Sequence, residues 1–309
     1  MLFRSIDISR RAHFDFDKNG FKELSHWMSD GDGVLVMDRN GDGVVNDGTE
    51  LFGDRTPLPD GTTARTGFEA LATLDENGDG IVDASDGMFS SLKVWVDTNG
   101  DGISTSDELR SLEETGIKSI RLESAENGAV DEHNNVAARN GTFEWVDGTT
   151  GAVGEMLLQG DAMHSVPTEL LELSEEIASM PELLGGGTLH DLRQAMARDE
   201  SGKLKGLVES FAAAKDMESR RAILKELVFA WAGADSVDPG SRGGLVDARE
   251  LAVLERYAGR DFVGSNGPNP HANAAPLLKQ AYAGLMEHFY RNLVCQRSEE
   301  RRVGKECRS

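Results

Sequence analysis

Apolar residues recur along this chain in three successive rhythms. In the first third they form short clusters between Asp-, Asn- and Gly-rich loops. GFEALATL places Phe68, Leu71 and Leu74 on one helical face. Met88, Phe89, Leu92 and Trp95 have the spacing of a second helix, and Leu109, Leu112 and Ile117 begin an exit segment. From Gly116 the period shortens: KSIRLES, TFEWVD and AVGEMLLQ alternate apolar and polar positions. Turns at Glu126–Gly128 and Asp147–Gly151 divide these runs, which predicts a small antiparallel sheet with Trp145 in its core. From Val166 the pattern is helical, broken by Gly185, Gly186 and Gly187 after Leu184. Leu224, Leu227, Val228 and Trp231 share one face, and Leu278, Tyr282, Leu285 and Phe289 another. Both stripes are read as core. Asp247 with Glu250 has the spacing of a capping box.

The loops between the early clusters carry the chemistry. An EF-hand loop offers oxygens at positions 1, 3, 5, 7, 9 and 12, with Gly at 6 for the sharp turn and a carbonyl at 7. DTNGDGISTSDE fills every place: Asp97, Asn99, Asp101, Ile103 through its carbonyl, Thr105 and Glu108, with Gly102 at the turn. DENGDGIVDASD supplies Asp75, Asn77, Asp79, Ile81, Asp83 and, as a shorter acid at the twelfth position, Asp86. DRNGDGVVNDGTE supplies Asp38, Asn40, Asp42 and Val44, but its acid, Glu50, stands at position 13. DFDKNGFKELSH offers Asp15, Asp17 and Asn19, with His26 at the twelfth place, so an acid such as Asp30 or Asp32 would have to substitute. One such motif alone is a surface turn, since turns are made of Asp, Asn and Gly. Four within 94 residues point to calcium, with two sites expected and up to four. Magnesium fits less well, because it keeps its waters. The Asp75 and Asp97 loops are expected to pair, with Ile81–Val82 and Ile103–Ser104 forming a short β-bridge behind the two ions.

Charge supports this chemistry. The 309 residues carry 54 acidic against 32 basic side chains, a formal net charge of −22. That balance excludes nucleic acid as a partner, which needs clustered Lys and Arg. Between Asp75 and Glu108 stand nine acidic residues and one base, Lys93, a density that repels itself without cations. No stretch reaches the roughly 20 apolar residues of a membrane helix. Two cysteines, Cys295 and Cys307, give no disulfide framework. HExxH, GxSxG and phosphate-loop motifs are absent, and none of the seven His is assigned a role.

The expected architecture is α+β: paired EF-hand-like calcium loops with a small antiparallel sheet, followed by an all-helical region. Residues 6–115 form the calcium-binding region, 116–165 the β region completing it, and 166–296 the helical domain. The opening MLFRS (1–5) and closing RSEERRVGKECRS (297–309) resemble translated sequencing-adapter read-through, which would make the stretch between them a fragment.

The run WMSDGDGVLVMDRNGDGVVNDGTELFGD, continuing through GFEALATLDENGDGIVDASDGMFSSLKVWVDTNGDGISTSDELRSLEETGI, resembles the calcium-dependent self-processing module of RTX (repeats-in-toxin) proteins over about residues 12–165. LLGGGTLHDLRQAM and FAWAGADSVDPGSRGGLVDARELAVLE resemble the segment that follows it. The resemblance implies a secreted parent exported by a type I system. It also implies a calcium-folded module that promotes cleavage of an Asp–Pro bond at its own N-terminal edge. There the Asp carboxylate attacks its own backbone carbonyl, the proline nitrogen leaves protonated, and water or a lysine amine opens the anhydride. A lysine would give an isopeptide link to a covalent partner protein. In this sequence no Asp–Pro precedes the loops; Asp238–Pro239 stands far downstream and reads as a turn with Pro239–Gly240 at its corner. The chain is therefore expected to bind calcium without turnover. The RTX nonapeptide is absent as well.

Overall fold

The computed structural model describes residues 2–3, 10–28, 31–265 and 267–306, for residues 2–3 and 297–306 the backbone alone. The termini resembling adapter read-through therefore lie largely outside the described residues, as does Asp30. The chain divides into two compact units, Met1–Asp161 and Ala162–Ser309.

The first unit contains strands β1 (Leu2–Phe3), β2 (Arg10–Phe14), β3 (Phe21–Trp27) and β4 (Gly33–Met37), then helix α1 (Gly67–Ala72). Strands β5 (Ile81–Asp83), β6 (Leu92–Trp95) and β7 (Leu109–Ser111) follow, then the short helix α2 (Leu112–Thr115). Three long strands complete it: β8 (Ile117–Val130), β9 (Val136–Trp145) and β10 (Thr150–Leu157). All but β2 and β3 join one eight-stranded antiparallel sheet in the order β5-β8-β9-β10-β1-β4-β6-β7. β2 and β3 form a hairpin registered from Arg10↔Trp27 to Phe14↔Glu23.

The sheet is larger than the three alternating runs predict, because five earlier segments, β1, β4, β5, β6 and β7, join it as strands. Met88–Trp95 is not a helix: a 3-10 turn at Phe89–Ser91 leads into β6, which lies between β4 and β7. Its residues satisfy both periods, since Leu92 and Val94 also alternate around Lys93. Pairing on both edges decides for the strand. Leu109 likewise opens β7, and Ile117 begins β8 after one turn of helix. The turn expected at Glu126–Gly128 lies within β8; the chain reverses at residues 131–135 instead, where Asp131 Oδ1 accepts the His133 and Asn135 N–H groups. α1 is the helix expected from its apolar face. Thr66 caps it by accepting from Glu69 N at 3.0 Å, and Phe68 and Leu71 are buried against Val82, Ile120 and Phe143. A second cluster gathers Phe14, Trp27, Val45 and Trp95, their aromatic rings 5.3–5.7 Å apart.

The division falls within β11 (Gly160–Pro167), after which the second unit contains α3 (Glu175–Ala178), α4 (Leu192–Arg198), α5 (Lys203–Ala213), α6 (Met217–Trp231), α7 (Ala248–Ala258) and α8 (Ala274–Glu306). Leu224, Leu227, Val228 and Trp231 of α6 are buried with Phe211 and Phe289. Asp247 caps α7 by accepting from Arg249 N rather than from Glu250, so it is a single cap and no box. Arg242 clips the loop before α7 by donating to both carboxylate oxygens of Glu255 and to the Phe262 and Pro268 carbonyls. Asp238–Pro239 sits in a turn, with Asp238 Oδ1 accepting from Gly240 N at 3.0 Å.

Candidate metal centre

Three acidic loops of the first unit share one hydrogen-bond template. In each, the first Asp folds the loop around its own carboxylate. Asp97 accepts from the N–H groups of Gly100 (2.7 Å) and Gly102 (2.9 Å), Asp75 from Gly78 and Gly80, and Asp38 from Gly41 and Gly43. Asn99, Asn77 and Asn40 then accept from the N–H of Asp101, Asp79 and Asp42. Those aspartates accept in turn from Ile103, Ile81 and Val44. This ladder of Asx turns gathers the oxygens of positions 1, 3 and 5 on the inside of a tight curve. The glycines at positions 4 and 6 hold positive φ, between +71° and +89°, which other residues resist.

The far side of each loop is closed by one buried acid. Glu108 accepts from Thr98 N (3.1 Å) and Thr105 N (3.2 Å), the residues at positions 2 and 9. Asp86 does the same with Glu76 N and Asp83 N, at 2.9 and 3.0 Å. Glu50, one residue late in sequence, accepts from Arg39 N and Asn46 N at 3.1 and 2.8 Å. The extra residue of that loop is taken up by the 3-10 turn Gly48–Glu50, capped by Asp47, which turns Glu50 back inward. Glu108, Asp86 and Glu50 are all at most 5% exposed.

The Asp15 loop joins β2 to β3. Asp15 accepts from Asn19 N (3.1 Å) and Gly20 N (3.0 Å), as in the other loops. Its closing acid is Glu23, which accepts from Phe16 N at 3.4 Å; one carboxylate oxygen each from Glu23, Asp15 and Asp17 lie within 4.8 Å of one another. The hairpin register pairs Glu23 with Phe14 and so delivers an acid three residues before the twelfth position. His26 points elsewhere, with Nδ1 3.1 Å from Asn135 Oδ1. Glu23 was legible in FKE, an acid at the ninth position, once the loop is read as a hairpin rather than as a helix–loop–helix.

Burial raises the carboxyl of Asp15, against the backbone N–H groups that favour its charge, and the neighbouring Asp17 adds to the rise. Glu23 is raised for the same reasons, burial first. Asp42 is lowered by the Val44 N–H and Asn46, and Asp83 by the Ser85 N–H and hydroxyl. Clustered hard oxygens, part-buried and short of balancing positive charge, are the donor set of a calcium-sized cation.

The loops do not pair as expected. Ile81 registers with Arg121 of β8, not with Ile103. Ser104 at position 8 instead meets Val45 at position 8 of the Asp38 loop, where its Oγ accepts from Val45 N at 2.6 Å. The Asp97 loop thus partners the Asp38 loop, while the Asp75 loop is bonded to β8. Only the Asp75 loop follows a helix; strands flank the Asp15 and Asp97 loops, and the Asp38 loop follows β4 and ends in the 3-10 turn Gly48–Glu50.

A family model described as the SPM domain matches residues 3–159, half of the chain and all four acidic loops. The chain belongs to the SPM domain family. It is also similar to the iron-regulated protein FrpA of Neisseria meningitidis serogroup C, 43% identical over 225 residues, or 73% of this chain and 20% of FrpA. The match thus spans about a fifth of that relative's length. A probable calcium-binding protein of rice, CML28, is 36% identical over 127 residues, covering 35% of this chain and 72% of CML28. The SPM match ends at Gln159, within the first compact unit, and the FrpA match extends over more of the chain than the SPM match does. No helix among the described residues is long and apolar enough to cross a membrane.

Proposed function

We propose that the first unit is a calcium-binding module whose fold depends on the ion, carried by an RTX-like secreted parent. The observation behind this reading is the repeated template: three loops, differing in length and in flanking structure, each aim one buried acid at the N–H groups of positions 2 and 9. Asp97, Asn99, Asp101, the Ile103 carbonyl, Thr105 and Glu108 would hold one ion. Asp75, Asn77, Asp79, the Ile81 carbonyl, Asp83 and Asp86 would hold a second. Asp38, Asn40, Asp42, the Val44 carbonyl and Glu50 would hold a third, and Asp15, Asp17, Asn19 and Glu23 a fourth. Calcium supplies the positive charge that lets these carboxylates stay ionised side by side. The probable calcium-binding relative accords with that chemistry. The division into a calcium region (6–115), a β region completing it (116–165) and a helical domain (166–296) belongs to the same proposal.

The resemblance to a self-processing module supports a second activity for the parent, Asp–Pro cleavage with Asp–Lys crosslinking. In this chain the Asp–Pro bond, Asp238–Pro239, lies in the second unit within a hydrogen-bonded turn.

The test is calcium addition to the whole chain purified in chelator, followed by circular dichroism and intact mass. The proposal expects a calcium-dependent gain of folded signal at constant mass. Full folding in chelator sinks the calcium-folded reading. New fragments or crosslinked species would establish the second activity.

A further inference from the structure

We infer that the Asp15, Asp38 and Asp97 loops act as one cooperative calcium-binding unit, clasped through Ser104 and Trp27, while the Asp75 loop fills independently. This rests on the calcium reading above and adds to it a partition of the sites. Three sets of contacts carry it, one for each pair of loops. Ser104 Oγ accepts from Val45 N at 2.6 Å and donates to Val45 O at 3.3 Å, so one buried hydroxyl satisfies both backbone groups of the facing loop. Trp27, at the end of the strand leaving the Asp15 loop, donates Nε1–H to Asp97 Oδ2 at 2.6 Å, the carboxylate oxygen that also accepts from Gly102 N. Gly48 N donates to Asp15 O at 2.9 Å, and Lys18 Nζ stands 3.1 Å from Asp47 Oδ2, tying the Asp15 loop to the end of the Asp38 loop.

Each loop's geometry is therefore fixed partly by a group belonging to another. An ion that orders the Asp97 loop sets the position of Ser104, and with it the backbone of Val45, one residue beyond the Val44 carbonyl. An ordered Asp15 hairpin sets Trp27, and with it the first acid of the Asp97 loop. Ordering one loop thus lowers the cost of ordering the next, which is positive coupling. The Asp75 loop bonds instead to β8, through Ile81↔Arg121 and Leu122 N to Gly80 O.

The experiment is calcium titration of the whole chain followed by amide NMR of Gly20, Gly43, Gly80 and Gly102, whose N–H groups report the four loops one by one. Gly20, Gly43 and Gly102 are expected to move together with a Hill coefficient above 1, and Gly80 separately. D101N should weaken binding at the Asp38 and Asp15 loops by about fivefold or more while leaving Gly80 unmoved. D79N should weaken only its own loop. S104A should separate the Gly43 and Gly102 transitions, and S104T, which keeps the hydroxyl, should rejoin them. Four independent transitions in the native chain, or a D79N effect on Gly43 and Gly102 as large as that of D101N, would overturn the coupling and leave calcium binding standing. An S104A chain that still titrates Gly43 and Gly102 as one also overturns it. No calcium-dependent shift at any glycine overturns both readings.

Discussion

Glu108, Asp86 and Glu50 perform one task from two different sequence positions. Each carboxylate accepts backbone N–H groups from both arms of its loop. A glutamine there keeps the volume, but offers one accepting oxygen and turns an NH2 toward the second N–H. E50Q is therefore expected to weaken the Asp38 site by about tenfold or more, the loss of roughly 1.4 kcal/mol that a factor of ten represents. Titration calorimetry should show one fewer tight site, as for E108Q; an unchanged stoichiometry would remove Glu50 from the ligand set. Asp15 and Glu23 make a pH prediction. Burial raises both carboxyls in the ion-free fold, so the folded chain holds these protons to a higher pH than the unfolded chain. The stability they contribute is complete below the unfolded carboxylate range, about pH 4, and is lost as pH rises through their folded values. In chelator, E23Q should therefore lose less stability than the native chain between pH 4 and neutrality. In saturating calcium, the native chain should instead gain stability over the same interval. Urea melts at several pH values check both signs; a steeper loss in E23Q would contradict them.

At the scale of elements, the alternating runs after Gly116 and the helical stripes after Val166 were readable because each is long enough to show its period. Met88–Trp95 was not, since a short apolar run fits helix and strand alike and its β4 and β7 partners are distant in sequence. The alternate acids and glycines of the loops were legible at once. Which loops face each other was not: the loops that follow β4 and β6 leave from opposite ends of that antiparallel pair, and they meet through Val45 and Ser104, 59 residues apart, which no local period links, while β5 is drawn to β8. Glu23 was hidden for a related reason: EF-hand spacing seeks the closing acid at or beyond the twelfth position, whereas the hairpin brings one back from the ninth. Gly48 shows how tightly these elements meet. A Cβ there would lie 2.0 Å from the Phe16 carbonyl oxygen, so an alanine must push the Asp15 and Asp38 loops apart. G48A is expected to destabilise the chain by about 1–3 kcal/mol in urea melts. It should also weaken calcium binding at both loops. G41A meets no atom within 4 Å and carries only left-handed strain, so it should cost about 1 kcal/mol, confined to its own loop. Equal costs would show that the contact between the loops is not tight in solution.

Across the whole molecule the charge is unevenly shared. Residues 1–161 contain 32 of the 54 acidic side chains but only 13 of the 32 basic ones, so nearly all of the net −22 falls on the unit that carries the loops. Without ions, two effects oppose folding there: general repulsion across the unit, and close repulsion inside each loop. Salt separates them. The Debye length falls from about 10 Å at 0.1 M to 3 Å at 1 M, so sodium chloride screens the general repulsion but reaches the clustered, part-buried carboxylates less. In chelator, raising sodium chloride to 1 M should therefore restore only part of the melting temperature that saturating calcium restores. Magnesium at the same concentration as calcium should fall short as well, since it gives up its waters reluctantly and demands a stricter octahedron than these loops offer. Recovery by salt equal to that by calcium would mean that the acidic residues act as a diffuse charge, and the loop template would lose its role as a set of ion sites. Recovery by calcium alone, unaffected by salt, would place the whole effect within the loops.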